Sequence, residues 1–192
     1  YAENIWKTCT DIASEQVLRF DKNDNFWEMG EVGPCGPCSE LHIDLGQDTC
    51  PLSDKHECAV NLEGCWRFVE LWNLVFMQYQ RFADGHLEEL TAQHVDTGMG
   101  LERICRVLQE VDSNYSTDLF VPIMDKISKV TGQSDSGGEA SVAFRVIADH
   151  LRSLSFAVAD GALPSNEGRG YVLRRMLRRA RSEEHTSELQ SQ

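Results

Sequence analysis

Apolar and polar residues alternate along much of the first half of the chain, which is the pattern of β-strands that bury one face. The predicted strands are residues 17–20, 26–29, 41–45, 67–82 and a run that ends at Asp96. The tetrapeptide ADGH at 83–86 predicts a hairpin turn after the longest strand. We therefore expect an antiparallel sheet, preceded by a short helix over residues 1–14.

The spacing of apolar residues changes to a helical period after Asp96. Leu101, Ile104, Cys105 and Leu108 follow the i, i+3, i+4, i+7 pattern of one helix face. Further predicted helices cover residues 119–130, 141–159 and 171–181. The predicted fold class is therefore α+β, with a sheet and flanking helices in a domain over residues 1–111 and an all-helical region over 112–181.

Composition is consistent with one large globular domain or two small ones, since the 192 residues are 41% hydrophobic and 26% charged. No stretch approaches the about 18 apolar residues of a membrane helix, so we expect no membrane partner. The chain begins at Tyr1 rather than Met, which is typical of a fragment. Residues 182–192 lack an apolar period and resemble a translated adaptor sequence, so we expect a non-native tail there.

Charge is distributed unevenly along the chain. The net charge of -13 disfavours non-specific binding to nucleic acid. Near the end, however, five arginines fall close together, at Arg174, Arg175, Arg178, Arg179 and Arg181. Such a stripe is either a local binding site for a polyanion or a solvated helix face, and the residues alone leave both readings open.

The cysteines offer two candidate sites of their own. The motif CGPC at Cys35–Cys38 fits a redox dithiol, half a zinc site or a structural or substrate-facing loop, and its two Gly-Pro pairs favour the loop. The aperiodic stretch 46–65 holds Cys50, His56, Cys58 and Cys65 and is predicted to be a surface insertion. Because its spacing matches no common zinc knuckle or ribbon, we expect no metal ligands and no zinc in this chain.

Asn73 is the one polar member of an otherwise apolar face that runs from Val69 to Met77. It is either a core amide with satisfied hydrogen bonds or a polar anchor on the floor of a small pocket, with Val75 beside it. Downstream, Gly98 and Gly100 have no side chains, so a ligand can approach the backbone there. Arg103 lies in the first turn of the next helix. An arginine there is favourable when an anion lies between it and the glycines.

Six segments, in order, resemble the alanyl-tRNA synthetases, which are class II aminoacyl-tRNA synthetases. They are FWEMGEVGPCGPCSE, ELWNLVFMQYQR, VDTGMGLERICRVLQ, SNYSTDLF, RVIADHLRS and RGYVLRRMLRRA. The resemblance extends from about Trp6 to Arg181 and implies the second half of a class II catalytic core followed by a helical tRNA-recognition region. It also implies that CGPC is a loop near the aminoacylation site.

The resemblance implies an alanine–tRNA ligase that activates alanine with ATP and Mg²⁺ and transfers it to the 3′ end of tRNA(Ala). Arg103 would be the catalytic contact to the γ-phosphate, with Gly98 and Gly100 against the nucleotide. The remaining implied residues are Trp27, Asn73, Val75 and Asp96 for alanine, and Asn166, Arg174 and Arg175 for tRNA.

The same resemblance implies that part of the ATP site and any editing site lie outside the chain, so that it would be inactive alone. It implies a cytoplasmic enzyme, or alternatively a mitochondrial one, and leaves the oligomeric state open. Two rival hypotheses are a non-catalytic module that binds tRNA and a metal or redox protein built on the cysteines. Intact Asp96 and Arg103 weigh against the binding module, because it needs neither.

Overall fold

Four antiparallel strands form the sheet of the first half of the chain, in the order β1-β2-β3-β4. The structure is a computed structural model that describes residues 1–51, 54 and 57–189, with side chains as far as residue 182. The strands are β1 (Phe26–Glu28), β2 (Gly33–Asp44), β3 (Phe68–Arg81) and β4 (Leu87–Met99). The predicted α+β class with an antiparallel sheet is therefore confirmed.

One predicted strand, residues 17–20, is wrong. The chain there leaves a short 3-10 helix, Ser14–Gln16, and continues without a strand partner. The backbone N–H of Phe20 instead donates to Asn25 Oδ1 at 3.2 Å, and the N–H of Asn25 donates to the carbonyl of Asp21 at 2.8 Å. Local side-chain bonding of this kind competes with a sheet ladder.

The CGPC segment is part of β2 rather than a loop, which corrects the expectation from its Gly-Pro pairs. The pairing of β2 with β3 shifts register between Cys35 and Cys38, where Gly36 and Pro37 face three residues of β3, so the extra residue lies on β3. A Cβ on Gly36 would lie 1.9 Å from the carbonyl oxygen of Phe76. Glycine is therefore required here because the backbones of two strands approach each other closely.

Two helices belong to this part of the chain. Helix α1 spans Ala2–Cys9 and ends earlier than predicted, because Thr10 takes an extended conformation. The indole Nε1 of Trp6 donates to Ser39 Oγ at 2.6 Å, which attaches α1 to β2. Helix α2 spans Leu101–Leu108 and begins two residues after β4 ends.

The chain divides into two compact units, residues 1–104 and residues from 105 onward, so the division falls inside α2. The predicted domain boundary at residue 111 remains a prediction. The helices of the second unit are α3 (Val121–Thr131), α4 (Gly138–Ala159) and α5 (Gly168–Leu189). Its core is formed by Phe120, Ile127, Phe144, Ile147 and Ala148.

Two helix ends in the second unit have local causes. Helix α3 ends at Gly132, which takes the left-handed conformation with φ of 68°. Helix α5 continues to Leu189, beyond the end predicted at residue 181. The segment 182–189 contains neither proline nor glycine, so nothing in its composition stops the helix.

Candidate functional site

The centre of β3 and the facing part of β4 bring together four of the predicted site residues. Asn73 pairs with Gly98, and Val75 pairs with Asp96. Residues that pair directly across antiparallel strands share a face of the sheet. One surface of the sheet therefore carries a buried Val75 and a half-buried Asn73 beside an exposed Asp96 and a glycine.

The side-chain amide of Asn73 is held in one orientation by a hydrogen bond from its nitrogen. Its Nδ2 donates to Glu40 Oε1 at 3.1 Å. Its Oδ1 is buried and has no hydrogen-bond partner among the described residues. A buried carbonyl without a donor is costly unless a ligand or water supplies one. Of the two readings of Asn73, the structure favours the polar anchor over the satisfied core amide.

Glu40 is a member of this site that the sequence analysis did not single out. Its side chain lies directly opposite Asn73 in the β2–β3 ladder, and its Oε2 bonds His42 Nε2 at 2.9 Å. The side chains of Glu40 and His42 are each 14% exposed. The sequence carries a signal for Glu40. It is a carboxylate two residues after Cys38, in a strand whose other face is apolar, and a charge at such a position needs a partner.

Trp27 lies on β1, opposite Gly36 of β2, so one strand separates it from Asn73 and Val75. Its side chain is half-buried. The structure thus places Trp27 on the same sheet as the other residues predicted to bind alanine, in a strand at one edge of that sheet.

Arg103 lies over the junction between β4 and α2. Its Nη1 donates to the carbonyl oxygen of Glu70 and to Glu70 Oε2, each at 2.9 Å, while the side chain remains 46% exposed. A Cβ on Gly100 would lie 3.3 Å from Cδ of Arg103, so the arginine stem covers that glycine. A Cβ on Gly98 would meet none of the described heavy atoms within 4 Å. Of the two predicted glycines, Gly98 is the open one.

The two thiols of CGPC are poor nucleophiles. Burial and the negative charge of Glu40 raise the pKa of Cys38 to about 11. Burial and, to a smaller extent, Glu28 raise the pKa of Cys35 as well. A redox dithiol needs a lowered pKa on the attacking cysteine, because the thiolate is the reactive form. The structure therefore argues against the redox hypothesis for this motif.

The predicted tRNA residues lie at the start of α5, in the second unit. The guanidinium of Arg174 donates to Asn166 Oδ1, so the structure joins these two residues directly. Arg174 and Arg175 are both exposed, while Ala180 of the same helix is buried. The arginines therefore form a solvent-facing basic surface, which fits both the polyanion site and the solvated-face reading.

The cysteines of the loop between β2 and β3 form a separate cluster. The Sγ atoms of Cys50, Cys58 and Cys65 all lie within 4.8 Å of one another, although the sequence spacing predicted no metal site. Burial and hydrogen bonds with the two neighbouring thiols raise the pKa of Cys58 to about 11. His56, the fourth candidate of this insertion, lies outside the described residues.

Comparison with known proteins identifies the family. A family model for class II (A) tRNA synthetases matches residues 1–192. The chain belongs to this family. Among curated relatives, alanine–tRNA ligases of Chlorobium chlorochromatii and Chlorobium phaeobacteroides are 59% and 56% identical over 179 residues. The alanine–tRNA ligase of Christiangramia forsetii is 51% identical over 180 residues.

These matches cover 92–93% of the chain but only 20% of each relative. The chain thus corresponds to one segment of a class II synthetase, as the resemblance implied. Class II synthetases in general use ATP and Mg²⁺. In the part of the chain that the structure describes, no helix has the length and apolar character needed to cross a membrane.

Proposed function

We propose that the chain is part of an alanine–tRNA ligase, and that the shared face of β3 and β4 is the alanine site. The observation that carries this proposal is the buried, unbonded Oδ1 of Asn73, which lies across the ladder from Gly98 and beside the Val75–Asp96 pair. The two Chlorobium relatives are alanine–tRNA ligases, which supports the same activity.

Alanine offers three groups that this surface can bind. The α-ammonium is a cation with three donors, which suits the carboxylate of Asp96 and the carbonyl oxygen of Asn73. The methyl group is small and apolar, which suits the buried Val75. Trp27 forms the edge of the pocket toward β1. Glu40 positions Asn73 by binding its amide nitrogen, so that the carbonyl oxygen stays available.

We assign ATP binding to Gly98 and Arg103. The open surface at Gly98 lets a nucleotide approach the strand, and Gly100 beside it gives room for the arginine stem. Arg103 exchanges its bond with Glu70 for one with the γ-phosphate, because a phosphate offers a stronger charge-assisted bond. When bound, Mg²⁺ neutralises phosphate charge alongside this arginine. Adenylate formation then depends mainly on the positioning of the alanine carboxylate against the α-phosphate.

Transfer to tRNA(Ala) is assigned to the second unit. Arg174 and Arg175 supply positive charge for the phosphates of the acceptor stem, and Asn166 orients Arg174 through the bond between them. We place the activity in the cytoplasm, with the mitochondrion as the alternative, and in the context of a longer protein. Any editing site lies outside this chain.

Amino-acid-dependent exchange between ATP and pyrophosphate, in the full-length protein that carries this chain, tests the proposal. We expect exchange with alanine and weaker exchange with glycine and serine, because one methylene or hydroxyl is worth only about 1–3 kcal/mol of discrimination. Asp96→Asn should reduce alanine-dependent exchange about 100-fold, since a charge-assisted bond is worth about 1.5–3 kcal/mol. Glu89→Gln, an exposed carboxylate on the same strand, is the matched control.

Exchange that survives Asp96→Asn unchanged would refute the assigned role of that residue. Folded protein that exchanges with no amino acid would refute the ligase, and would favour the module that only binds tRNA.

A further inference from the structure

We propose that Cys50, Cys58 and Cys65 form a zinc-binding site in the loop between β2 and β3. This inference goes beyond the ligase activity and does not depend on it. The three Sγ atoms lie within 4.8 Å of one another, and Cys50 is only 3% exposed while the other two are half-buried. A site of three clustered thiols is the donor set that zinc prefers among the common divalent metals.

The distances suit zinc. Zn–S bonds of about 2.3 Å in a tetrahedron place the sulfur atoms about 3.8 Å apart. The observed upper bound of 4.8 Å therefore requires the thiols to close by about one ångström at most. Because the cluster has three cysteines, a disulfide between two of them would leave the third unpaired. The three cysteines supply three of the four positions of tetrahedral zinc, and another ligand completes the set.

The backbone of the loop is shaped to bring the cysteines together. The N–H of Leu45 donates to the carbonyl of Arg67 at 2.9 Å, which closes the base of the loop. Cys50 follows a short 3-10 helix, Gln47–Thr49. Before Cys65 the chain passes through left-handed conformations at Asn61 and Gly64, with φ of 58° and 78°. These turns bring Cys65 back toward Cys50 across 14 intervening residues.

Arg67 supplies the charge balance. Its Nε and Nη2 donate to the two carboxylate oxygens of Asp44 at 2.6 Å each, and it lies two residues after Cys65 in the chain. Three thiolates around one Zn²⁺ carry a net negative charge, and a neighbouring guanidinium stabilises it. Such outer partners orient the ligands of a metal and tune its affinity.

The site would fix a loop in which the described residues form one short 3-10 helix, Gln47–Thr49, and no other helix or strand. Loops longer than about 12–15 residues without secondary structure are uncommon in compact domains unless something orders them. The end of this loop leads directly into β3, which carries Asn73. A metal here would therefore anchor the entry to β3 and act on stability rather than on chemistry.

Metal content is the direct test. We expect the full-length protein, purified under reducing conditions, to contain one more equivalent of zinc than its Cys50→Ser/Cys58→Ser/Cys65→Ser variant, as measured by mass spectrometry of the metal. Zinc bound elsewhere in the longer protein is present in both samples, so it does not contribute to the difference between them. Cys105→Ser, a half-buried thiol outside the loop, is the matched control and should lose no zinc.

Cobalt substitution counts the thiolates. Co²⁺ in the wild-type site should give sulfur-to-metal charge-transfer bands, and Cys65→Ala should weaken them while Cys65→His restores zinc content. A purely structural role for Cys65 would not be rescued by histidine. The proposal is overturned if the wild type and the triple variant hold equal zinc, or if thiol titration of the metal-free wild type shows that two of the three cysteines form a stable disulfide.

Discussion

The site residues of the sheet and those of α5 are held in opposite ways. Asn73 and Glu40 are bonded to each other, half-buried and registered by a ladder of backbone hydrogen bonds. Arg174 and Arg175 project from a helix into solvent, and the guanidinium of Arg174 donates a hydrogen bond to the exposed side chain of Asn166. The first arrangement depends on geometry and the second on charge. Single substitutions should therefore act strongly in the sheet and weakly on the helix.

The largest expected effect is on the close approach of β2 and β3. Gly36→Ala would place a methyl group 1.9 Å from the carbonyl oxygen of Phe76. The two strands would have to separate, so we expect a loss of about 3 kcal/mol in the free energy of unfolding, the upper end for overpacking. Urea denaturation measures this. Gly30→Ala, where a Cβ would meet no described heavy atom within 4 Å, is the control. Equal stability of the two variants would contradict the role given to Gly36.

The next effect concerns the positioning of Asn73. Glu40→Ala removes the acceptor of the Asn73 amide, so the carbonyl oxygen loses its fixed direction. We expect the KM for alanine in pyrophosphate exchange to rise about 10-fold, which corresponds to one lost hydrogen bond of about 1.4 kcal/mol, with kcat less affected. Glu40→Gln retains an acceptor oxygen and should restore most of the affinity. A Gln variant as defective as the Ala variant would show that the charge of Glu40, and not its bond to Asn73, matters.

On the helix, the effect should be electrostatic and gradual. Replacing both Arg174 and Arg175 with alanine should weaken tRNA binding and lower the slope of log K against log salt concentration by about 2, one for each lost phosphate contact. The control is Lys126→Ala/Lys129→Ala, which removes the same charge from exposed positions of α3. If both double variants change the slope equally, the α5 surface is only part of a general charge effect, and the contrast between the two regions fails.

The smallest effect is expected at the turn between β3 and β4. Hydrogen bonds to Asp84 and Glu88 raise the pKa of His86 above its usual 6.5. Protonated His86 therefore favours the folded state, fully below pH 6.5 and no longer once the pH rises above the folded pKa. Because all three side chains are exposed, the change in thermal midpoint should be slight. Asp84→Asn should flatten this pH dependence, and an unaltered profile in that variant would assign it to another group.

Periodic patterns made most of the fold predictable. The alternation in 67–82 identified β3 within one residue at each end, and the ADGH turn and the start of α2 followed from equally local signals. The wrong strand at 17–20 had suitable residues but no strand partner, and its Phe20 N–H donates to the side chain of Asn25 instead. The CGPC motif is predicted to be a loop and lies in a strand, since the irregular pairing that includes it in the sheet forms only against β3.

The sequence by itself determined most of the elements, because these depend on local periodicity, and residue type and position singled out Asn73 and Arg103 as candidate site residues. Only the tertiary structure decided which side chains meet. It brought Glu40 to Asn73, Arg103 to Glu70, and the three loop cysteines to one point. The physical reason is that such contacts join positions far apart in the chain. Their geometry is set by strand register and backbone turns, and no residue spacing encodes it.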